Sequence, residues 1–194
     1  MLTHVKGGRS VIEDLLSYNE EFVKNKGYEP YQTSKYPDRR LAIVTCMDTR
    51  LIELLPAALG IKNGDAKIIK NAGGVISHPF GSAVRSLLIA IYELGVEDIL
   101  VIGHTDCGVQ HMDSQQMLVK MQERGVSSEI IETMKYCGID FEQWLSGFLN
   151  VSESVWQSVQ LLREHPLIPC DVNIYGYVMD SVTGELKSIN IKNG

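Results

Sequence analysis

Residues 41–50 read LAIVTCMDTR. Four apolar residues, Leu41-Ala42-Ile43-Val44, give way to a thiol, a carboxylate and a guanidinium at Cys46, Asp48 and Arg50. A short apolar run bounded by polar residues suits a strand buried on both faces. Because Cys46, Asp48 and Arg50 alternate, an extended backbone sends all three side chains out on one side. Residues 98–108, DILVIGHTDCG, repeat the pattern: an apolar strand closes on His104-Thr105-Asp106-Cys107-Gly108. Two strand ends thus supply Cys, His and Cys, which are zinc ligands by chemistry.

Outward from these strands the chain alternates. Upstream, Ser10 and Glu13 fit a capping box, and Val11, Ile12, Leu15, Leu16, Phe22 and Val23 keep roughly helical spacing, with Gly27 placed to close the helix. Residues 27–38, with Pro30 and Pro37, read as a loop before a strand at 40–46. Then come a short helix over 51–59, whose regularity Pro56 limits, and a strand over 66–70. The apolar helix over 82–94 has Gly95 as its cap and precedes a strand over 99–102. Helices follow over 114–124, 128–136, 140–148 and 152–164, with Asp140 and Gln143 as a second capping pair. Strands over 172–179 and 185–191 end the sequence. Short apolar strands alternating with helices indicate α/β architecture, a doubly wound, mainly parallel sheet with helices on both faces. Such sheets bind ligands at the strands' carboxyl ends, where the strand order reverses. Cys46 then meets His104 and Cys107 only if the first and third strands are neighbours.

The chain has 194 residues, 44% hydrophobic and 22% charged, which suits one well-filled domain. A net charge of -6 offers no broad positive field, so nucleic acid and anionic membrane are poor partners. No apolar run approaches a membrane span, and MLTHVKGGRSVIEDLL lacks a signal peptide's apolar core, so a cytoplasmic location is expected. Four cysteines, at 46, 107, 137 and 170, are too few for a disulfide scaffold and point to metal or catalysis. Cys137 and Cys170 have no His or acid cluster beside them and are expected to be buried or half-buried. His4 and His165 read as surface residues, and His78 and His111 as solvated loop residues.

A zinc held by Cys46, His104 and Cys107 would keep one position open, the arrangement of catalytic rather than structural sites. The spacing His-x-x-Cys suits two ligands on one tight loop, with Gly103 and Gly108 giving it room. Arg50 beside Asp48 keeps the carboxylate ionised. Asp48 then has two possible roles: to orient a metal-bound water, or to swing in as a fourth ligand and shut the site. Arg50, by holding it, favours the open state. A plainer reading makes Asp48 the cap of the helix beginning near Leu51, Arg50 its surface ion partner, Cys46 a core thiol and Asp106 a turn residue. Asn71-Ala72-Gly73-Gly74 matches neither a dinucleotide fingerprint nor a P-loop, which disfavours a nucleotide-binding module. Its glycines suit a backbone passing close to the metal crevice.

Cys46-Met47-Asp48-Thr49-Arg50, Asn71-Ala72-Gly73-Gly74 and Gly103-His104-Thr105-Asp106-Cys107-Gly108, in that order, resemble the β-class carbonic anhydrases. The resemblance is specific across about residues 40–110 and closer to the compact branch found in archaea and bacteria. It implies one zinc per chain on Cys46, His104 and Cys107, with Asp48 and Arg50 as the catalytic dyad. The fold implied is four parallel strands plus an antiparallel edge strand. The chain divides into an N-terminal helix arm (1–38), a zinc-site core (39–110), a helical segment (111–168) and C-terminal strands (169–194), all in one domain. The smallest working unit implied is a homodimer or dimer-based homo-oligomer, with the N-terminal helix reaching over its partner. The implied reaction is reversible hydration of carbon dioxide to bicarbonate and a proton by zinc-bound hydroxide. Two thiolates donate more charge than imidazoles, so activity should rise above neutral pH. Alternatives are a carbon disulfide or carbonyl sulfide hydrolase on the same ligands, or a non-catalytic zinc protein in which Asp48 is the fourth ligand.

Overall fold

A computed structural model of the chain describes residues 10–189. Contacts divide it after Ser34 into two compact units. In the first, α1 (Val11–Lys24) starts at a complete capping box: Glu13 N–H donates to Ser10 Oγ and Ser10 N–H to Glu13 Oε2. The helix ends before Gly27, because Lys26 takes the left-handed conformation at φ 55°. Gly27 instead makes room for a ring, since a Cβ there would meet Phe22 at 2.5 Å. His4 lies outside the described residues.

The second unit is the α/β sheet. Its elements are β1 (Leu41–Cys46), α2 (Leu54–Ala58), β2 (Ala66–Asn71), α3 (Ser82–Leu94) and β3 (Asp98–His104), then α4 (Ser114–Glu123), α5 (Ser128–Tyr136), α6 (Phe141–Leu145) and α7 (Val151–Arg163), and finally β4 (Asn173–Met179) and β5 (Leu186–Ser188). The strand order is β2-β1-β3-β4-β5, with β1 to β4 parallel and β5 antiparallel at the edge. The order reverses between β1 and β3, so the crevice of the doubly wound sheet opens above those two strands. Cys46 and His104 end them.

Side-chain alternation explains why β1 is apolar without a break. Ala42 and Val44 join Ile99, Val101 and Ile174 in a core closed by Val84, Leu87 and Ala90 of α3 and Val155, Val159 and Leu162 of α7. Ile43 points the other way, into a smaller core with Leu51, Leu55, Ile102 and Met179. Both faces of β1 are therefore buried, as the central strand of a parallel sheet requires.

Several elements differ locally from the sequence reading. The helix expected over 51–59 is split into a 3-10 turn at Thr49–Leu51 and α2. Restarting at Leu54 puts Pro56 in the first turn, where its missing N–H has no helical partner to lose. The helix expected over 140–148 stops at Leu145, although Asp140 caps it by accepting from Gln143 N–H. Gly95 closes α3 with a left-handed φ of 72°, as expected. Among the described residues, no helix is long and apolar enough to cross a membrane.

Candidate metal centre

The register of the sheet brings the two strand ends together. Thr45 of β1 lies level with Ile102 of β3, and its hydroxyl donates to the Ile102 carbonyl at 2.9 Å, so the positions that follow share one crevice. Cys46, His104 and Cys107 are 3%, 0% and 5% exposed. Their donor atoms all lie within 4.8 Å of one another, and the two sulfurs are 3.8 Å apart. That separation is far beyond the S–S bond length of about 2 Å, so both thiols are free.

His104 has one nitrogen committed and one waiting. Nδ1 lies 2.8 Å from the Thr105 carbonyl, which can only accept, so Nδ1 carries the proton. Nε2 is then a bare lone pair in the interior, and it is the one buried side-chain polar atom without a partner among the described residues. An orphaned acceptor beside two buried thiols calls for a partner, and a metal ion satisfies all three.

The acid and guanidinium stand at the rim. Asp48 caps the 3-10 turn, its Oδ1 accepting from Arg50 N–H at 2.9 Å, so the capping role and the pairing with Arg50 are both realised. Arg50 also donates from Nε to Oδ1 at 3.0 Å and from Nη2 to Oδ2 at 2.9 Å, a two-pronged grip. The Arg50 guanidinium, outweighing burial, lowers the Asp48 carboxyl to about 2. Asp48 Oδ2 lies 3.8 Å from His104 Nε2. The other side of Arg50 donates to Asp106 Oδ2 at 2.8 Å and to the Asp106 carbonyl at 2.7 Å, tying the β1 end to the β3 end. Asp106 takes a left-handed φ of 53°, a conformation Asp tolerates better than most residues.

Neighbouring backbone acts on the thiols. Burial raises Cys46, but the neighbouring His104 imidazole and the Asp48 and Gly73 backbone prevail and bring it to about 7. Burial pushes Cys107 up, and the neighbouring Cys46 adds to this, against N–H groups of Val109 and Gln110. The glycine run passes close, as its composition suggested. A Cβ on Gly74, at φ 65°, would stand 2.8 Å from Cys46 N. Asn71 braces that run, exchanging two hydrogen bonds with the Val75 backbone.

Some expectations fail. Gly103 lies inside β3, where a Cβ would meet Val151 and Val155 at 2.7 Å, so it admits α7 rather than turning a loop, and nothing crowds Gly108. His165 is buried, not on the surface: its Nε2 bonds the Pro79 carbonyl at 2.8 Å and its Nδ1 accepts from Leu167 N–H. Cys137 and Cys170 are exposed rather than buried. His78 and His111 are exposed, as expected. The sequence reading gave Asp106 only a turn role and missed its grip on Arg50. An acid two residues after a candidate ligand, mirroring Asp48 after Cys46, was the available signal.

The fold and site thus define an α/β protein with a thiol–imidazole cluster able to hold a metal at the switch point of a doubly wound sheet. Comparison with known proteins narrows the class. The carbonic anhydrase family model matches residues 41–186. The chain is 50% identical over 180 residues to YtiB of Bacillus subtilis (strain 168), provisionally named a carbonic anhydrase, covering 93% of this chain and 96% of that protein. It is 32% identical over 167 residues to a carbon disulfide hydrolase of Acidithiobacillus thiooxidans, covering 81% and 80% of the two chains. The crystal structure of β-carbonic anhydrase isoform I from Trichomonas vaginalis superposes with a TM-score of 0.85 at 37% identity, over 93% of this chain and 98% of that one. The chain belongs to the β-class carbonic anhydrase family and is an enzyme of that family.

Proposed function

We propose that the chain binds one zinc ion through Cys46, His104 and Cys107 and catalyses the reversible hydration of carbon dioxide to bicarbonate and a proton, with Asp48 and Arg50 as the catalytic pair. The observation that carries the proposal is the unpartnered His104 Nε2 converging with two thiols beside an arginine-held carboxylate. Two sulfurs each about 2.3 Å from a shared zinc stand about 3.8 Å apart at the tetrahedral angle. The Cys46–Cys107 separation of 3.8 Å matches that edge. Sulfur and imidazole donors favour zinc over calcium, magnesium or manganese. Bound there, zinc supplies the charge that makes a water acidic near neutral pH, for which carbonic anhydrase is the standing example.

The chain's own residues do the rest. Asp48, held ionised, acts only as an acceptor and takes a hydrogen bond from the attacking water, fixing where its lone pair points. Arg50 engages both Asp48 oxygens, which keeps the carboxylate from joining the donor set. The balance is CO2 plus H2O giving bicarbonate plus a proton, which passes to buffer.

Stopped-flow hydration of carbon dioxide on protein of counted zinc content, with and without a chelator, tests the reading. Zinc-dependent turnover is expected; full turnover after zinc removal would overturn it. A second reading, hydrolysis of carbon disulfide or carbonyl sulfide on the same residues, is favoured by the Acidithiobacillus relative. Assaying these substrates in parallel separates the two. The non-catalytic zinc reading requires Asp48 to leave Arg50 and close the donor set. We also propose a cytoplasmic homodimer. Free cysteines suit a reducing compartment, and Val11, Ile12, Leu15 and Leu16 of α1 are 60–74% exposed, an apolar stripe that a second copy would cover. Light scattering after size exclusion tests the assembly.

A further inference from the structure

The segment between α6 and α7 lies against the loop that carries Cys107. Gly147 N–H donates to the Met112 carbonyl and His111 N–H to the Phe148 carbonyl, both at 2.9 Å, so the two stretches pair backbone to backbone. Gln110 Nε2 adds a bond to the Leu149 carbonyl at 3.0 Å. The approach leaves no room for a side chain: a Cβ on Gly147 would overlap the Val109 carbonyl oxygen and stand 2.8 Å from Met112 N. Phe148 then reaches the other donor loop, its ring edge 3.1 Å from where a Gly73 Cβ would be.

Both contacted backbones adjoin the cysteines. Gln110 N–H donates to the Cys107 carbonyl at 2.9 Å, and Gly74, next to Gly73, lies against the backbone of Cys46, where a Cβ would stand 2.8 Å from Cys46 N. Backbone held this way fixes where each donor side chain leaves the chain, as outer-shell contacts do for ligands generally.

We propose that Gly147-Phe148-Leu149 is a clasp that positions both sulfur donors, holding Val109–Met112 beneath Cys107 while Phe148 presses on Gly73 beside Cys46. It rests on the metal reading given above. Metal retention then depends on a segment outside both donor strands. These are positioning residues, with no part in the chemistry itself.

The test follows zinc passing from the loaded protein to the chromogenic chelator 4-(2-pyridylazo)resorcinol, together with the thiolate-to-metal absorption of the Co2+-substituted protein. Gly147→Ala and Phe148→Ala should release zinc about tenfold faster, the lower end of what outer-shell changes cost in affinity, and should shift the Co2+ band. Phe148→Leu should restore most of the wild-type rate. Gly184→Ala, strained at φ 76° in the turn before β5, should lower stability without altering release. Should Gly147→Ala not fold, the Phe148→Ala and Phe148→Leu pair carries the comparison. Folded, loaded variants that release zinc at the wild-type rate with an unchanged band would overturn the clasp alone. Wild-type protein that takes up no zinc would overturn the metal reading, and the clasp with it.

Discussion

At the scale of single residues the site turns on how many groups Arg50 serves at once. Its guanidinium meets both Asp48 oxygens, the Asp106 carboxylate and the Asp106 carbonyl. A lysine offers a point charge and no fork, so Arg50→Lys should free Asp48 and lower turnover. Asp106→Asn should do less. The Asp106 side chain is 86% exposed, so its ion pair contributes no more than about 1 kcal/mol, and asparagine tolerates the left-handed backbone. Steady-state rates and urea midpoints of the two variants check this order. Asp48→Ala separates the enzyme from a closed structural site. As the acceptor that orients the attacking water Asp48 should be worth roughly 100-fold in kcat/KM, with zinc content unchanged. Loss of zinc instead of rate would show that it is a ligand.

At the scale of elements, the tight turns are held by side chains as much as by backbone. Asp180, between β4 and β5, accepts from Val182 N–H, Thr183 N–H and the Thr183 hydroxyl at 2.8–3.1 Å. Those donors, the Thr183 and Val182 N–H groups foremost, lower its carboxyl below the ordinary 3.8. A depressed carboxyl stabilises the folded state above its unfolded value and loses that contribution as pH falls through the folded one. Asp180→Asn should therefore be less stable than wild type at neutral pH, with the gap closing below about pH 4. Denaturant melts across that range measure it. The helix boundaries show where sequence reading stops. Pro56 suggested a weakened helix over 51–59, but not that the helix would restart at Leu54, because the break is set by the turn that Asp48 caps. The length of α6 was overestimated for a similar reason: Gly147 N–H bonds the Met112 carbonyl and not its own helix.

At the scale of the whole molecule, the sheet rests on one large core and one small one. Leu87 of α3, fully buried against β1 and β3, should cost about 2–5 kcal/mol as Leu87→Ala, read from the urea midpoint. The fold class was legible beforehand because the signals are local: short, continuously apolar strands, helices of 3.6-residue period, and glycines at the breaks. Even so, His165 was misread, because nothing in its neighbours shows that the Pro79 carbonyl will reach it from 86 residues away. Cys137 and Cys170 were misread in the opposite direction: a small apolar thiol carries no information about its depth.

The sequence by itself determined the chemical inventory at the ends of two strands: two thiols, an imidazole, a carboxylate and a guanidinium, although Arg50 is placed by the 3-10 turn at Thr49–Leu51 and not by the strand alternation expected of it. Only the tertiary structure decided that these ends are adjacent, that Arg50 reaches across to Asp106, and that a segment near residue 147 supports the Cys107 loop. Strand order and loop docking depend on contacts between residues far apart in the chain, and local periodicity does not encode which distant partners will meet.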